Sequence, residues 1–115
     1  MLIRSQNKKY LVSTNNISFY AMDSEVICFG ISGIEDSDYI ILGHYETEAK
    51  AMKVLDMIQE AYEEYKITCT FLTGFTGHRA IAESNGIHVN GFEELIKSFK
   101  KNMVFQMPED SEVEV

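Results

Sequence analysis

Residues 17–65 read ISFYAMDSEVICFGISGIEDSDYIILGHYETEAKAMKVLDMIQEAYEEY, and this stretch decides the fold. It opens with three runs rich in aromatic and β-branched residues: Ile17 to Met22 (ISFYAM), Val26 to Ser32 (VICFGIS) and Tyr39 to Tyr45 (YIILGHY). Each is bounded by Asn, Asp, Ser or Gly, the residues that end strands and build turns. The connections DSE and GIEDSD are short and polar, so consecutive strands are predicted to pair antiparallel as a meander. Their charge also blunts exposed sheet edges. The period then changes. Thr47 is a natural N-cap, and Glu48 suits the positive end of a helix dipole. Ala51, Met52, Leu55, Ile58, Tyr62 and Tyr65 recur at three- and four-residue spacing, which predicts a helix over Thr47 to Tyr65 with one apolar face. Lys53, Asp56, Glu60, Glu63 and Glu64 fall largely elsewhere and face water. A Met and aromatic stripe at this spacing is core packing against the sheet rather than a cofactor site.

Outward from this centre the elements are shorter. Leu2 to Arg4 and Tyr10 to Val12 are extended pieces around a polar SQNKK turn. Ile67 to Leu72 (ITCTFL) reads as a further strand or an extended lead. Asn90 is the predicted cap of a second helix through GFEELIKSFKK, with Glu93 at capping-box spacing and Phe92, Leu95, Ile96 and Phe99 as its buried face. Met103 to Met107 (MVFQM) is a closing strand, stopped by Pro108, the only proline. The expected architecture is α+β: an antiparallel β-sheet meander packed by one long amphipathic helix, with a second helix inserted before the last strand. Residues 1–108 form a single domain, and 109–115 an acidic, disordered tail.

Composition narrows the function classes. At 115 residues, 45% hydrophobic and a mean hydropathy of −0.13, the chain suits one globular domain. No apolar run reaches the length of a membrane span, and MLIRSQNKKY lacks the apolar core of a signal peptide, so a cytosolic protein is expected. Cys28 and Cys69 sit in apolar contexts without a C-x-x-C, and read as small buried hydrophobes. His44, His78 and His88 lack metal-site spacing, so no metal and no cofactor is expected. The formal net charge is −8, which argues against general nucleic-acid binding. The charge is unevenly spread. Residues 1–22 carry three positive groups and no negative one, whereas 23–46 carry six acids and no base. Residues 66–104 hold five positive groups against three negative.

Inside that second basic stretch lies TGFTGHRAIAESNGIHVNG, Thr73 to Gly91, with four of the seven glycines and one of the two arginines. A structureless polar stretch of this length in a small domain is characteristically a binding loop or disordered, and Phe75, Ile81, Ile87 and Val89 argue against disorder. Catalytic fingerprints are absent from the chain. Cys69 with His78 or His88 makes a poor thiol–base pair, because an apolar setting disfavours a thiolate. The protein is therefore read as a binder, not an enzyme, with no catalytic residues. In GFTGHR, Gly74, Thr76 and Gly77 offer backbone N–H groups for an anion nest, and Arg79 a planar donor fork for phosphate oxygens. Phe75 can stack on a base, and Asn85 can hydrogen-bond a base edge or ribose. Singly, these glycines equally fit positive-φ turns, Phe75 a core plug and Arg79 an ordinary surface residue; the cluster favours binding.

MLIRSQNKKYLVSTNNISFY at the start, KAMKVLDMIQEAY in the helix and MVFQMPED at the end resemble a group of small phage and prophage proteins of Gram-positive bacteria. Within that group the chain is similar to the family of Thoeris anti-defence protein 1. The resemblance implies a non-catalytic sponge that binds cyclic ADP-ribose isomers made by TIR-domain enzymes, acting in the host cytoplasm as a homodimer or higher homo-oligomer, with neither membrane nor nucleic acid as partner. It also implies a site with an aromatic residue and an asparagine about ten positions apart. Phe75 and Asn85 fit, as do Phe92 and Asn102. Arg4, in the other basic stretch, is a candidate to complete a partner's pocket. A different class stands beside this one: a phage inhibitor that binds a host defence protein through an acidic surface that mimics nucleic acid.

Overall fold

The computed structural model describes residues 1–30, 38–84, 94, 97 and 100–115, the side chains of 72 and 75–84 excepted. The fold is α+β. Its strands are β1 (Leu2–Arg4), β2 (Leu11–Ser13), β3 (Ser18–Met22), β4 (Glu25–Phe29), β5 (Ile40–His44) and β6 (Val104–Gln106). A long helix, α1 (Glu48–Ser84), follows β5. A second, short helix precedes β6, its helical backbone described at Glu94, Lys97 and 100–102.

The expected meander forms, with β3, β4 and β5 paired antiparallel in that order. Asp23, at φ 54, occupies the two-residue turn between β3 and β4, a left-handed position that Asp tolerates better than most residues. A bulge in β5 leaves Leu42 without a register partner, and Leu42 is thereby turned into the core. The sheet is not continuous, however. β2, β1 and β6 form a separate three-stranded sheet in which β1 and β6 run parallel, a pairing that local pattern does not disclose.

Both sheets share one core. Ile3 and Val12 from the first meet Val26, Cys28 and Leu42 from the second, against Ala51, Val54 and Ile58 of α1. Thr47 caps α1 as expected, its hydroxyl accepting the Lys50 N–H at 3.2 Å. The buried face is turned from the predicted one. Val54 is fully buried and Met52 half exposed, because α1 packs on β3 and β4 through the 51–54–58 ridge.

Two expectations are corrected outright. ITCTFL is helix, not strand. Its threonines fit a helix by bonding back to the preceding turn: Thr70 Oγ1 donates to the Lys66 carbonyl at 3.0 Å, and Thr73 Oγ1 to that of Cys69 at 2.8 Å. Helical backbone then continues through Ser84, so the first twelve residues of the Thr73–Gly91 stretch are not a loop. The C-terminal tail is docked, not disordered. It forms a 3₁₀ turn at Asp110–Glu112 and buries Val113 in the core. Asp110 Oδ1 accepts the Glu46 N–H at 2.7 Å, and its Oδ2 meets Lys50 Nζ at 3.0 Å. The Tyr45 hydroxyl donates to the Pro108 carbonyl at 2.9 Å. The predicted cap and buried face at Asn90, Phe92, Glu93, Leu95, Ile96 and Phe99, and most of GIEDSD, lie outside the described residues.

The register of α1 has a direct test. Ile58→Ala should cost about 2–5 kcal/mol by creating a cavity, whereas Met52→Ala should stay within about 0.5 kcal/mol, both read by urea denaturation. The docked tail has a pH signature of two opposite signs. Burial first, and then the charges of Glu109, Asp110 and Glu112, push the Tyr45 phenol far above its ordinary value. Its contribution to stability is therefore complete below about pH 10 and is lost as pH rises further. The Glu46 N–H first, and then Lys50, hold the Asp110 carboxyl below its ordinary value, so that contribution is present above about pH 4 and lost as pH falls. Tyr45→Phe should flatten the alkaline limb and Asp110→Asn the acid limb in the same denaturation series.

Candidate functional site

The turn between β1 and β2 is built by its own side chains. The Ser5 hydroxyl donates to Asn7 Oδ1 at 2.7 Å and accepts the Tyr10 N–H at 3.0 Å, while the Lys9 N–H donates to the same Asn7 oxygen at 2.9 Å. Lys8 takes a left-handed φ of 66. This closes the turn tightly and leaves Asn7 its Nδ2 group as the part able to meet a ligand. The Gln6 N–H donates to the Leu42 carbonyl at 2.7 Å, as another strand would. The Gln6 side chain completes the mimicry: Oε1 accepts the His44 N–H at 2.9 Å, and Nε2 donates to the His44 carbonyl at 3.1 Å and to the Pro108 carbonyl at 3.2 Å. Gln6 thus ties one sheet to the edge of the other.

Beside this tie lies a cleft of about 370 Å³, lined by Gln6, Asn7, Tyr10, Tyr39 and the β5 residues through His44. That volume is within the range of small-molecule sites. Tyr10 and Tyr39 are about half exposed. The Tyr39 ring is braced edge-to-face by Phe29 at 5.6 Å, and Phe29 in turn by Tyr20 at 5.3 Å. At the far end His44 Nδ1 stands 3.6 Å from Glu25 Oε2, too long for a hydrogen bond but close enough for an ion pair when the imidazole is protonated. Glu25 Oε2 is hidden from solvent and has no hydrogen-bond donor among the described residues. The turn also carries the cations. Lys8 and Lys9 lie within it, and Arg4 Nε donates to the Lys8 carbonyl at 3.4 Å, which holds the guanidinium stem along its rim.

A larger groove of about 490 Å³ runs between β3 and α1, lined by Thr14, Phe19, Leu55, Ile58, Gln59 and Tyr62. It has more room but a mostly apolar wall; among the described lining residues neither concavity has a lysine or arginine, and the cleft at the sheet junction is distinguished by its amide and phenol groups. The cleft at the sheet junction has the better chemistry.

Of the sequence-predicted residues, Arg4 bonds to the turn that walls this cleft but is not part of its lining. Gly74, Phe75, Thr76, Gly77 and Arg79 lie on the distal part of α1, where the side chains from Phe75 onward are outside the description. Amides in a helix interior bond to the carbonyl four residues back, so an anion nest at Gly74–Gly77 is not formed. Asn85 lies outside the described residues. Asn102 is described: its Nδ2 meets Thr68 Oγ1 at 3.5 Å, joining the second helix to α1. Sequence reading missed Gln6, Asn7, Tyr10 and Tyr39. The charge imbalance of residues 1–22 was the available signal, pointing to the SQNKKY turn as a whole.

No protein-family profile matches the chain, and neither curated proteins nor solved structures yield a match.

Gly74 separates a helical reading of this segment from a nest. A Cβ there would meet nothing within 4 Å. Gly74→Ala should therefore stabilise the protein by about 0.5–1 kcal/mol in thermal or urea unfolding. Destabilisation would mean that a positive φ is needed at this position.

Proposed function

We propose that this protein binds and sequesters a cyclic ADP-ribose-type nucleotide without cleaving it, as a phage anti-defence protein acting on signals of TIR-domain enzymes in the host cytoplasm. The observation that carries the reading is the cleft at the sheet junction, which brings two tyrosine rings, side-chain amides and a basic turn together. Tyr39, braced by Phe29, and Tyr10 stack on the base. Asn7 Nδ2 hydrogen-bonds its edge or a ribose hydroxyl, and Arg4, Lys8 and Lys9 face the pyrophosphate. Phe75, Thr76, Arg79 and Asn85 are the candidates read from the sequence for the same ligand. Self-association as a homodimer or higher homo-oligomer belongs to the same proposal: Ile67 is 70% exposed on α1, beyond the part buried by the sheets.

A second reading has its own observation. Glu48, Asp56, Glu60, Glu63 and Glu64 are all exposed on α1, an acidic surface suited to a basic region of a host defence protein.

Calorimetry across the cyclic ADP-ribose isomers should find one that binds, and heat denaturation of the complex should return it intact. Tyr10→Ala and Tyr39→Ala should each weaken binding about 5- to 150-fold, the loss of one stacking contact. Loss confined to Phe75→Ala and Asn85→Ala would move the site to the distal part of α1. Absence of binding by every isomer would sink the proposal, and a chromatographically detected product would make the protein an enzyme.

A further inference from the structure

We propose that the outer edge of β3, with the groove beneath α1, is a strand-addition site for an extended basic segment of a partner protein. β3 is the terminal strand of its sheet. Its hairpin closes at Met22 and Glu25 across a two-residue turn, so those two residues exchange both backbone hydrogen bonds. In antiparallel pairing the bonded positions alternate, which makes Tyr20–Ile27 and Ser18–Phe29 the other bonded pairs. The N–H and C=O groups of Phe19 and Ala21 therefore point to the open edge. Among the described residues no further backbone bond to either is formed.

Natural edge strands are blunted by charge, proline or a bulge. β3 (SFYAM) has none of these, and its register with β4 is regular. Instead it borders the 490 Å³ groove, whose lining includes Phe19 from the strand and Leu55, Ile58 and Tyr62 from the helix. A strand added here would send every second side chain into that groove, the arrangement by which edge recognition gains selectivity.

The groove's lip sets the partner's charge. On α1, Met52 extends the apolar side, and Asp56 and Glu63 lie exposed along the open flank, Glu63 accepting from Gln59 Nε2 at 3.2 Å. Asp23 stands in the hairpin turn at the end of the strand. On the same helix, Lys66 lies over the Tyr62 ring at 5.8 Å. A second copy of this chain is disfavoured, because pairing β3 with β3 about a twofold would set the same acids against each other. An extended segment with apolar residues at alternate positions and lysine or arginine between them matches both backbone and lip.

The test leaves the protein unaltered and varies a synthetic peptide of alternating lysine and valine, about seven residues long to match a strand. In a titration followed by amide NMR and hydrogen exchange, the Phe19 and Ala21 amides should shift and gain protection, while Tyr20, already paired to β4, should not gain. N-methylation of alternate peptide amides should weaken binding at least about tenfold, and a glutamate–valine peptide should not bind. The proposal is overturned if the lysine–valine peptide does not bind, or if the N-methylated or glutamate peptide binds equally well. It is also overturned if Phe19 and Ala21 become protected with rising protein concentration alone, which would make a second copy the occupant.

Discussion

Gln6 uses its whole side-chain amide at one point: Oε1 takes the His44 N–H, and Nε2 serves the carbonyls of His44 and Pro108. Among the described residues the two sheets share no ladder, so their relative position rests on this junction and on the core they share. The Pro108 carbonyl is also held by the Tyr45 hydroxyl. Tyr45 in turn covers Gly43 so closely that a Cβ there would lie 2.9 Å from the phenol oxygen. A side chain at Gly43 would thus displace a buried ring whose hydroxyl is already committed. Glycine at this position, the tyrosine two residues on and the tail that follows Pro108 are one constraint.

That constraint reaches the cleft. Its floor is the segment of β5 that Gln6 holds, and one wall is the turn that carries Gln6. The ring of Tyr39 is braced by Phe29, which is itself braced by Tyr20. A ligand entering here meets aromatic and amide groups already in place, so less ordering entropy opposes binding.

The legible parts of the fold were the local ones. The β3–β4–β5 meander follows from aromatic and β-branched runs between turn residues, and Thr47 from capping chemistry. The helix face was read with Met52 in place of Val54, because the periodicity of a helix that is apolar on several sides does not say which ridge a sheet will choose. ITCTFL misled because β-branched residues favour strands on average, while here threonine hydroxyls satisfy themselves within the helix. The parallel β1–β6 pair joins residues roughly one hundred positions apart and the docked tail residues roughly sixty apart, and no local pattern encodes either. The candidate site divides the same way. Arg4 and the basic opening segment were readable as charge, but the meeting of Tyr10 with Tyr39 depends on how two sheets dock.

An anion bound by a protein of net charge −8 needs a local field that outweighs the global one. The layout of this chain segregates its cations rather than multiplying them. Lys8 and Lys9 lie on the β1–β2 turn and Arg4 at the end of β1, and the first twenty-two residues contain no acid to offset them. The exposed acids of α1 belong to a different layer of the fold. At physiological ionic strength charges are screened over about 8 Å, so a ligand at the turn is governed by the cations within that reach and only weakly by acids farther off. The same screening sets the converse at the groove beside β3, where Asp56 and Glu63 line the flank and Lys66 is drawn against a tyrosine ring. The charges near the two concavities therefore differ: Lys8 and Lys9 lie on the turn that walls one, with Glu25 at its far end, and Asp56 and Glu63 flank the other. Net charge alone would assign both to cationic partners, whereas the proposed anion site and the proposed strand-addition site rest on where a few residues are placed.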